Sequence, residues 1–302
     1  MNIRSINKGF FSVGLICVML SSLGVQAQDH SPSNSLLWEI SGNGLKRPSY
    51  LFGTIHLIPK EDFFFTDAMR ERMGEADRLV LEVELDQSAI FGSMGSMMMT
   101  PPNSLKKLLT EEEYEEVKAF VQDSLPTPMP MMMFEMMKPI FSAQQITSLM
   151  CGVDLEPGNK GSSSYEFFLS DKFKDSDRPI SGLETVQEQL SYLDKVPLKD
   201  QAAQLVEAVR DPRKNCGMFE DMVAVYTSQD LDALYQMTAT DPGIGSYLDY
   251  LLNERNKNWI PRIQEMIKDE ALFIAVGAGH LPGEEGVINL LRKAGYTLKP
   301  VY

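Results

Sequence analysis

Of the 302 residues in the chain only three are histidine, and two of these occupy matching contexts. His56 follows Leu51-Phe52-Gly53-Thr54-Ile55, and His280 follows Ala275-Val276-Gly277-Ala278-Gly279. Each context is an apolar run that reads as a buried strand, then Gly-x-x-His, then a Leu with Pro59 or Pro282 close behind. Glycine before each histidine lets the backbone turn tightly at a strand end and aim the ring inward. Imidazole is the commonest metal ligand and the one side chain that titrates unperturbed near neutrality. The pair therefore points to a metal site or to acid/base chemistry. A lone histidine here would read as a satisfied strand cap; the repeated context argues against that, and both rings are expected beside solvent.

A carboxylate is the natural third member. Residues 78–85 read as a strand with Val80, Glu82 and Glu84 on one face and Leu79, Leu81, Val83 and Leu85 on the other. Either the polar face is the wet side of an edge strand, or a cation meets the carboxylates, because an unpaired charge is costly to bury. Two imidazoles and one carboxylate leave coordination positions open on a divalent ion, as a catalytic metal requires. The run Glu254-Arg255-Asn256-Lys257-Asn258-Trp259 offers an arginine, an amide and an aromatic wall as supporting partners, or else a solvated helix face.

Other chemistries lack their signatures. The sequence has no Gly-x-Ser-x-Gly elbow, no His-Glu-x-x-His and no Cys-x-x-Cys, and residues 158–162 lack phosphate-loop spacing. Residues 277–283 follow a strand and open a helix, but the third glycine comes one position late for a dinucleotide fingerprint.

The elements that must position these groups lie behind a leader. Arg4 and Lys8, an apolar stretch from Phe10 to Leu20 and the sequence Val25-Gln26-Ala27 read as a signal peptide over residues 1–27, too short to span a bilayer. The expected location is periplasmic or secreted, with no stable membrane anchor; Cys17 lacks the small preceding residue that lipidation uses. Loss of Arg4 and Lys8 takes the net charge from -14 to -16, which disfavours nucleic acid as a partner. Residues 28–302 then form a single domain, with His30 in a loose polar segment and Cys151 and Cys216 available for one disulfide or as two buried thiols.

Along that domain a hairpin over residues 36–56 turns at Gly42-Asn43-Gly44, and Thr66 caps a helix to Glu75. Helical spacing covers 104–125, 134–150, 163–174, 184–193, 198–210, 216–227, 231–237, 247–268 with an interruption near Pro261, and 283–294. Strands are expected at 180–183, 271–276 and 297–301. The fold class is mixed α/β, with a sheet built from both chain ends and a helical, methionine-rich insertion over about 91–150 acting as a wall or lid. The methionines around 94–99 and 129–137 read as adaptable apolar surface and not as a copper site.

Five segments together resemble the TraB/GumN family, relatives of the animal TIKI proteases: Ser49 to His56, Leu81 to Glu84, Gly182-Leu183-Glu184-Thr185, Glu254-Arg255-Asn256 with Trp259, and Ala275 to Gly283 with Gly295-Tyr296. The resemblance implies a metal-dependent hydrolase fold akin to the erythromycin-esterase (EreA) and haem-binding ChaN groups. It implies His56, His280 and Glu82 as the site for a divalent transition ion (Mn, Co or Zn), and peptidase activity, which belongs to the animal branch. Glu84 stands where the family commonly has Asp. On this reading the substrate is a peptide or protein. Glu84 or Glu184 serves as general base or supporting acceptor, and Arg255 with Asn256 holds substrate or the oxyanion. The alternative is a non-catalytic protein that binds peptide, haem or metal on the same scaffold.

Overall fold

The computed structural model describes residues 35–84, 92–124, 131–153, 161–241, 243 and 245–302. The leader, His30, Leu85, Met129 and Gly158 lie outside these residues.

Two short strands, β1 (Leu37–Ser41) and β2 (Ser49–Thr54), form the expected hairpin. Its turn holds Gly42, Asn43 and Gly44 at φ of 80°, 47° and 81°, a left-handed run that glycine and asparagine tolerate. The sheet also takes in β4 (Arg78–Val83), β6 (Ile180–Glu184), β7 (Leu272–Gly277) and β8 (Thr297–Val301). Its order is β6-β4-β7-β2-β1-β8. β6, β4, β7 and β2 run parallel, while β1 is antiparallel to both its neighbours. β2 and β7 are buried on both faces, as continuous apolar runs in a parallel sheet must be. Strands from the two ends of the chain thus lie side by side, with Gly53 opposite Val276 and Thr54 opposite Gly277.

β4 lies between β6 and β7, so it is not an edge strand and Glu82 is buried. A two-stranded ribbon of β3 (Ile58–Pro59) and β5 (Ser162–Ser163) sits directly after His56.

Around the sheet are α1 (Asp67–Glu75), capped by Thr66, α6 (Tyr165–Asp175), α7 (Val186–Leu193), α11 (Glu254–Met266) and α12 (Val287–Lys293). The helical middle comprises α2 (Leu105–Leu108), α3 (Glu111–Ser124), α4 (Met131–Met136), α5 (Pro139–Met150), α8 (Leu198–Arg210), α9 (Pro212–Thr227) and α10 (Leu231–Thr240). Part of it closes on a second apolar cluster of its own, including Met99, Leu105, Val117, Phe134, Ile146 and Leu205. Cys151 and Cys216 are joined as a disulfide between the end of α5 and α9.

Several boundaries differ from the sequence expectation for local reasons. The helix expected over 104–125 is two, because Thr110 and Glu113 exchange side-chain and backbone hydrogen bonds and start a new helix. That over 134–150 is two because Pro139 opens α5, the first-turn position that proline prefers. Glu184 ends a strand, and the helix after it begins at the Thr185–Glu188 capping box. α11 runs through Pro261; the irregular stretch is the π-turn Asp249–Asn253 before it. α12 begins only at Val287: Gly283 has φ of 89°, and a Cβ on Gly286 would lie 2.0 Å from the Pro282 carbonyl oxygen.

Candidate functional site

The carboxyl ends of the parallel strands converge on one edge of the sheet, where ligands bind in open α/β folds. His56 follows β2, Glu82 lies near the end of β4, Glu184 ends β6, and His280 follows β7 in a 3-10 turn. The two histidine loops pack against each other, since a Cβ on Gly53 would approach Ala278 and Leu281 to 3.1 Å.

At the centre is Arg255, brought by α11 and buried. Nε and Nη2 donate to Glu184 at 3.0 and 2.6 Å, Nη2 also donates to Glu82 at 2.5 Å, and Nη1 donates to the Leu251 carbonyl at 3.0 Å and to His280 Nε2 at 3.1 Å. All five guanidinium N–H groups are thereby used. Burial works against the Arg255 charge, but Glu82 and Glu184 outweigh it and hold it protonated.

Glu82 has more than one stabilising partner. Oε1 accepts from the Gly277 amide at 2.7 Å and Oε2 from Gln189 of α7 at 3.1 Å. Burial alone would raise its pKa; the fields of His280, Arg255 and His56 and the Gly277 amide hold it at about 2. Gly277 leaves room for this contact, since a Cβ there would stand 3.2 Å from Oε1. Glu184, which also accepts from Trp259 Nε1 at 3.1 Å, is shifted the other way: burial raises its pKa against the pull of Arg255. With both carboxylates ionised the cluster of Glu82, Glu184 and Arg255 carries one negative charge in excess. Such a surplus favours a cation.

His280 is 4% exposed, contrary to the expectation of two solvent-facing rings, because Trp259 packs on it at 4.5 Å. Its Nδ1 is 2.7 Å from Asn256 Oδ1, while Asn256 Nδ2 donates to the His280 and Glu285 carbonyls at 3.3 and 2.9 Å. The amide oxygen can only accept, so Nδ1 carries the proton and Nε2 the lone pair. Burial, reinforced by Arg255 and His56 and opposed by Glu82, lowers the His280 pKa to about 3. The ring is therefore neutral near pH 7, where Arg255 and the protonated His56 supply the positive charge that keeps Glu82 ionised.

His56 differs: its side chain is 74% exposed, with Nδ1 2.9 Å from Glu166 Oε1. The hydrogen bond and charge of Glu166 raise its pKa to about 9, with a smaller contribution from Glu82. Glu166, in the first turn of α6, is the contact that the sequence did not disclose: it lies 110 residues from His56 in an ordinary helical pattern. Glu84 is exposed beyond the end of β4 and makes no hydrogen bond to His56, His280 or Arg255 among the described residues. The methionine-rich turn Met94–Met97 is one helix removed from the site: Ser96 Oγ donates to Gln187 at 3.0 Å, on the same α7 that brings Gln189 to Glu82.

In donor chemistry the site fits a divalent ion. Two ligand atoms each about 2.1 Å from one tetrahedral ion stand roughly 3.4 Å apart; His280 Nε2 and Glu82 Oε1 are 3.7 Å apart. However, among the described residues no three His, Cys, Asp or Glu groups are arranged to hold one ion together. Arg255 Nη1 also rests on the His280 lone pair.

Fold and site together define an α/β protein with a polar, partly buried centre at the carboxyl edge of a mostly parallel sheet. The chain belongs to the TraB/PrgY/gumN family, which it matches over residues 36–300. It is similar to the human metalloprotease TIKI1, 23% identical over 321 residues that cover 89% of this chain and 62% of that protein. It is also similar to the metalloprotease TIKI2 of Danio rerio, 21% identical with coverage of 88% and 61%. An uncharacterized protein of Treponema pallidum is 24% identical, with coverage of 92% and 86%. The chain thus spans about three fifths of the length of these TIKI relatives. No solved structure matches it.

Proposed function

We propose that the protein is an exported, metal-dependent peptidase in which His56, His280 and Glu82 hold one divalent transition ion. The observation that carries the proposal is the pairing of His280 Nε2, its lone pair fixed by Asn256, with Glu82 Oε1 at 3.7 Å. The similarity to the TIKI metalloproteases supports peptide-bond chemistry, and the basic, apolar leader supports export. Donors of nitrogen and oxygen without thiolate suit Mn, Co or Zn. Such an ion supplies Lewis-acid polarisation of a carbonyl and acidification of water.

The chain's own residues set the conditions for that chemistry. With an ion held by His280 Nε2, the Arg255 Nη1 N–H that now meets that nitrogen would be free to meet negative charge on a substrate oxygen. Glu184 and Trp259 keep the guanidinium in place while it does so. Asn256, with both ends of its amide engaged, holds His280 and does not touch substrate. Glu84, open to solvent two residues past Glu82, is the carboxylate left to act as general base.

Metal analysis of the purified protein, followed by cleavage of a peptide library with and without chelator, tests this. About one bound ion per chain, with cleavage lost on chelation and restored by Mn, Co or Zn, is expected. Cleavage indifferent to chelator contradicts it. One observation favours a second reading, a binding protein without turnover: the His280 lone pair already has a donor in Arg255. That reading predicts ligand capture with no cleavage under any metal.

A further inference from the structure

We infer that Glu166 is a positioning residue, which grips the His56 imidazole at Nδ1 so that Nε2 is the atom left for the site. The inference rests on the proposed role of His56. Glu166 Oε1 accepts from His56 Nδ1 at 2.9 Å and from Thr54 Oγ1 at 3.0 Å, and Oε2 accepts from Ser164 Oγ at 2.7 Å. Thr54 ends β2 and Ser164 precedes α6, so two separate elements fix the carboxylate. Its place in the first turn of an 11-residue helix further favours a negative charge there.

His56 needs such a grip because nothing else among the described residues provides one. Its side chain is 74% exposed, and no hydrogen bond other than that to Glu166 fixes it among the described residues. A free exposed imidazole would rotate and exchange tautomers, and the partner of one ring nitrogen decides which atom of the other carries the lone pair. The opposing loop solves the same problem with a neutral amide, Asn256 on His280 Nδ1. The two imidazoles are thus each held by Nδ1, one by a charged acceptor and one by an uncharged one. A carboxylate acceptor orients a ligating imidazole and increases its basicity, and removing such a partner typically costs about 10- to 100-fold in metal affinity.

Nitrogen-15 NMR of the histidines tests this in the full chain, with His56 assigned through His56→Gln. In ion-free protein, at a pH where the ring is neutral, the wild type is expected to carry its proton on His56 Nδ1. Glu166→Ala should shift the population toward the Nε2-protonated form, and Glu166→Gln should preserve the wild-type form because its amide oxygen still accepts. The His280 signals should not move in either variant. With Zn2+ added, Nε2 of His56 is expected to be the metallated nitrogen, with affinity falling about 10- to 100-fold in Glu166→Ala. An unchanged His56 tautomer in folded Glu166→Ala overturns the inference, whatever Zn2+ does. Wild-type His56 signals that ignore Zn2+ overturn the proposed metal site instead, and leave the ion-free comparison to decide the role of Glu166.

Discussion

At the residue scale, the two histidines in matching motifs have opposite surroundings, and their truncations should diverge accordingly. His280→Ala removes a ring packed on Trp259 and leaves Asn256 Oδ1 and one of the two Arg255 Nη1 N–H groups without their partner. Unpaired buried polar groups cost about 1–3 kcal/mol each, so a loss of roughly 2–4 kcal/mol in stability is expected. His56→Ala removes an exposed ring and should stay within about 1 kcal/mol of wild type. Chemical denaturation measures both, and metal content on the same preparations should fall in each variant. The motifs made His56, His280 and Glu82 legible as candidates, because Gly-x-x-His after a strand and a carboxylate inside one are local patterns. Glu166 was not legible: an acidic residue in a first helical turn has a routine capping role, and only the fold brings it to His56. The saturation of Arg255 was hidden for the same reason, since its acceptors come from four separate segments.

At the element scale, the sheet does the positioning, and the β4–β7 contact is its most constrained point. A Cβ at Gly277 would stand 3.2 Å from Glu82 Oε1 and 3.6 Å from His280 Cδ2, whereas one at Gly279 would come no nearer than 3.8 Å to Thr238 Oγ1. Gly277→Ala should therefore push the carboxylate off the Gly277 amide, costing about 1–2 kcal/mol and weakening metal binding, while Gly279→Ala is tolerated. Equal effects of the two substitutions, measured by thermal unfolding and metal titration, would show that close approach is not what selects glycine. The parallel pairing of β2 with β7 was inferable from the twinned motifs, which can share a site only if both chain ends enter one sheet. Helix boundaries in the middle were less legible. Apolar periodicity continues across the Thr110–Glu113 capping box and across Pro139, and there local hydrogen bonding overrides it.

At the scale of the whole molecule, the buried centre sets the response to acid. His280 is held near a pKa of about 3 against an ordinary 6.5, and Glu82 near about 2 against 4.5. In both cases the unfolded chain takes up protons that the folded chain refuses. Stability should therefore fall as pH drops below about 6.5, first through His280 and then, below about 4.5, through Glu82 as well. The limiting slope for one proton is about 1.4 kcal/mol per pH unit. His56, with its pKa raised to about 9, acts in the opposite sense: its contribution is present below 6.5 and is lost on the way to 9. Because that ring is mostly exposed, solvent screening keeps the alkaline loss small. Denaturant midpoints across pH 3 to 9 check this, with His280→Gln expected to flatten the first part of the acid limb; an acid limb identical in that variant would mean His280 is not buried neutral.

The central claim, that His56, His280 and Glu82 share one ion, is tested most directly by anomalous diffraction from crystals grown with Mn2+. The account predicts a single strong peak within about 2.2 Å of His280 Nε2 and of a Glu82 oxygen, with His56 Nε2 as a third ligand and Arg255 Nη1 displaced from His280. Density with no such peak, and Arg255 still donating to His280 Nε2 in the presence of millimolar Mn2+, would contradict it.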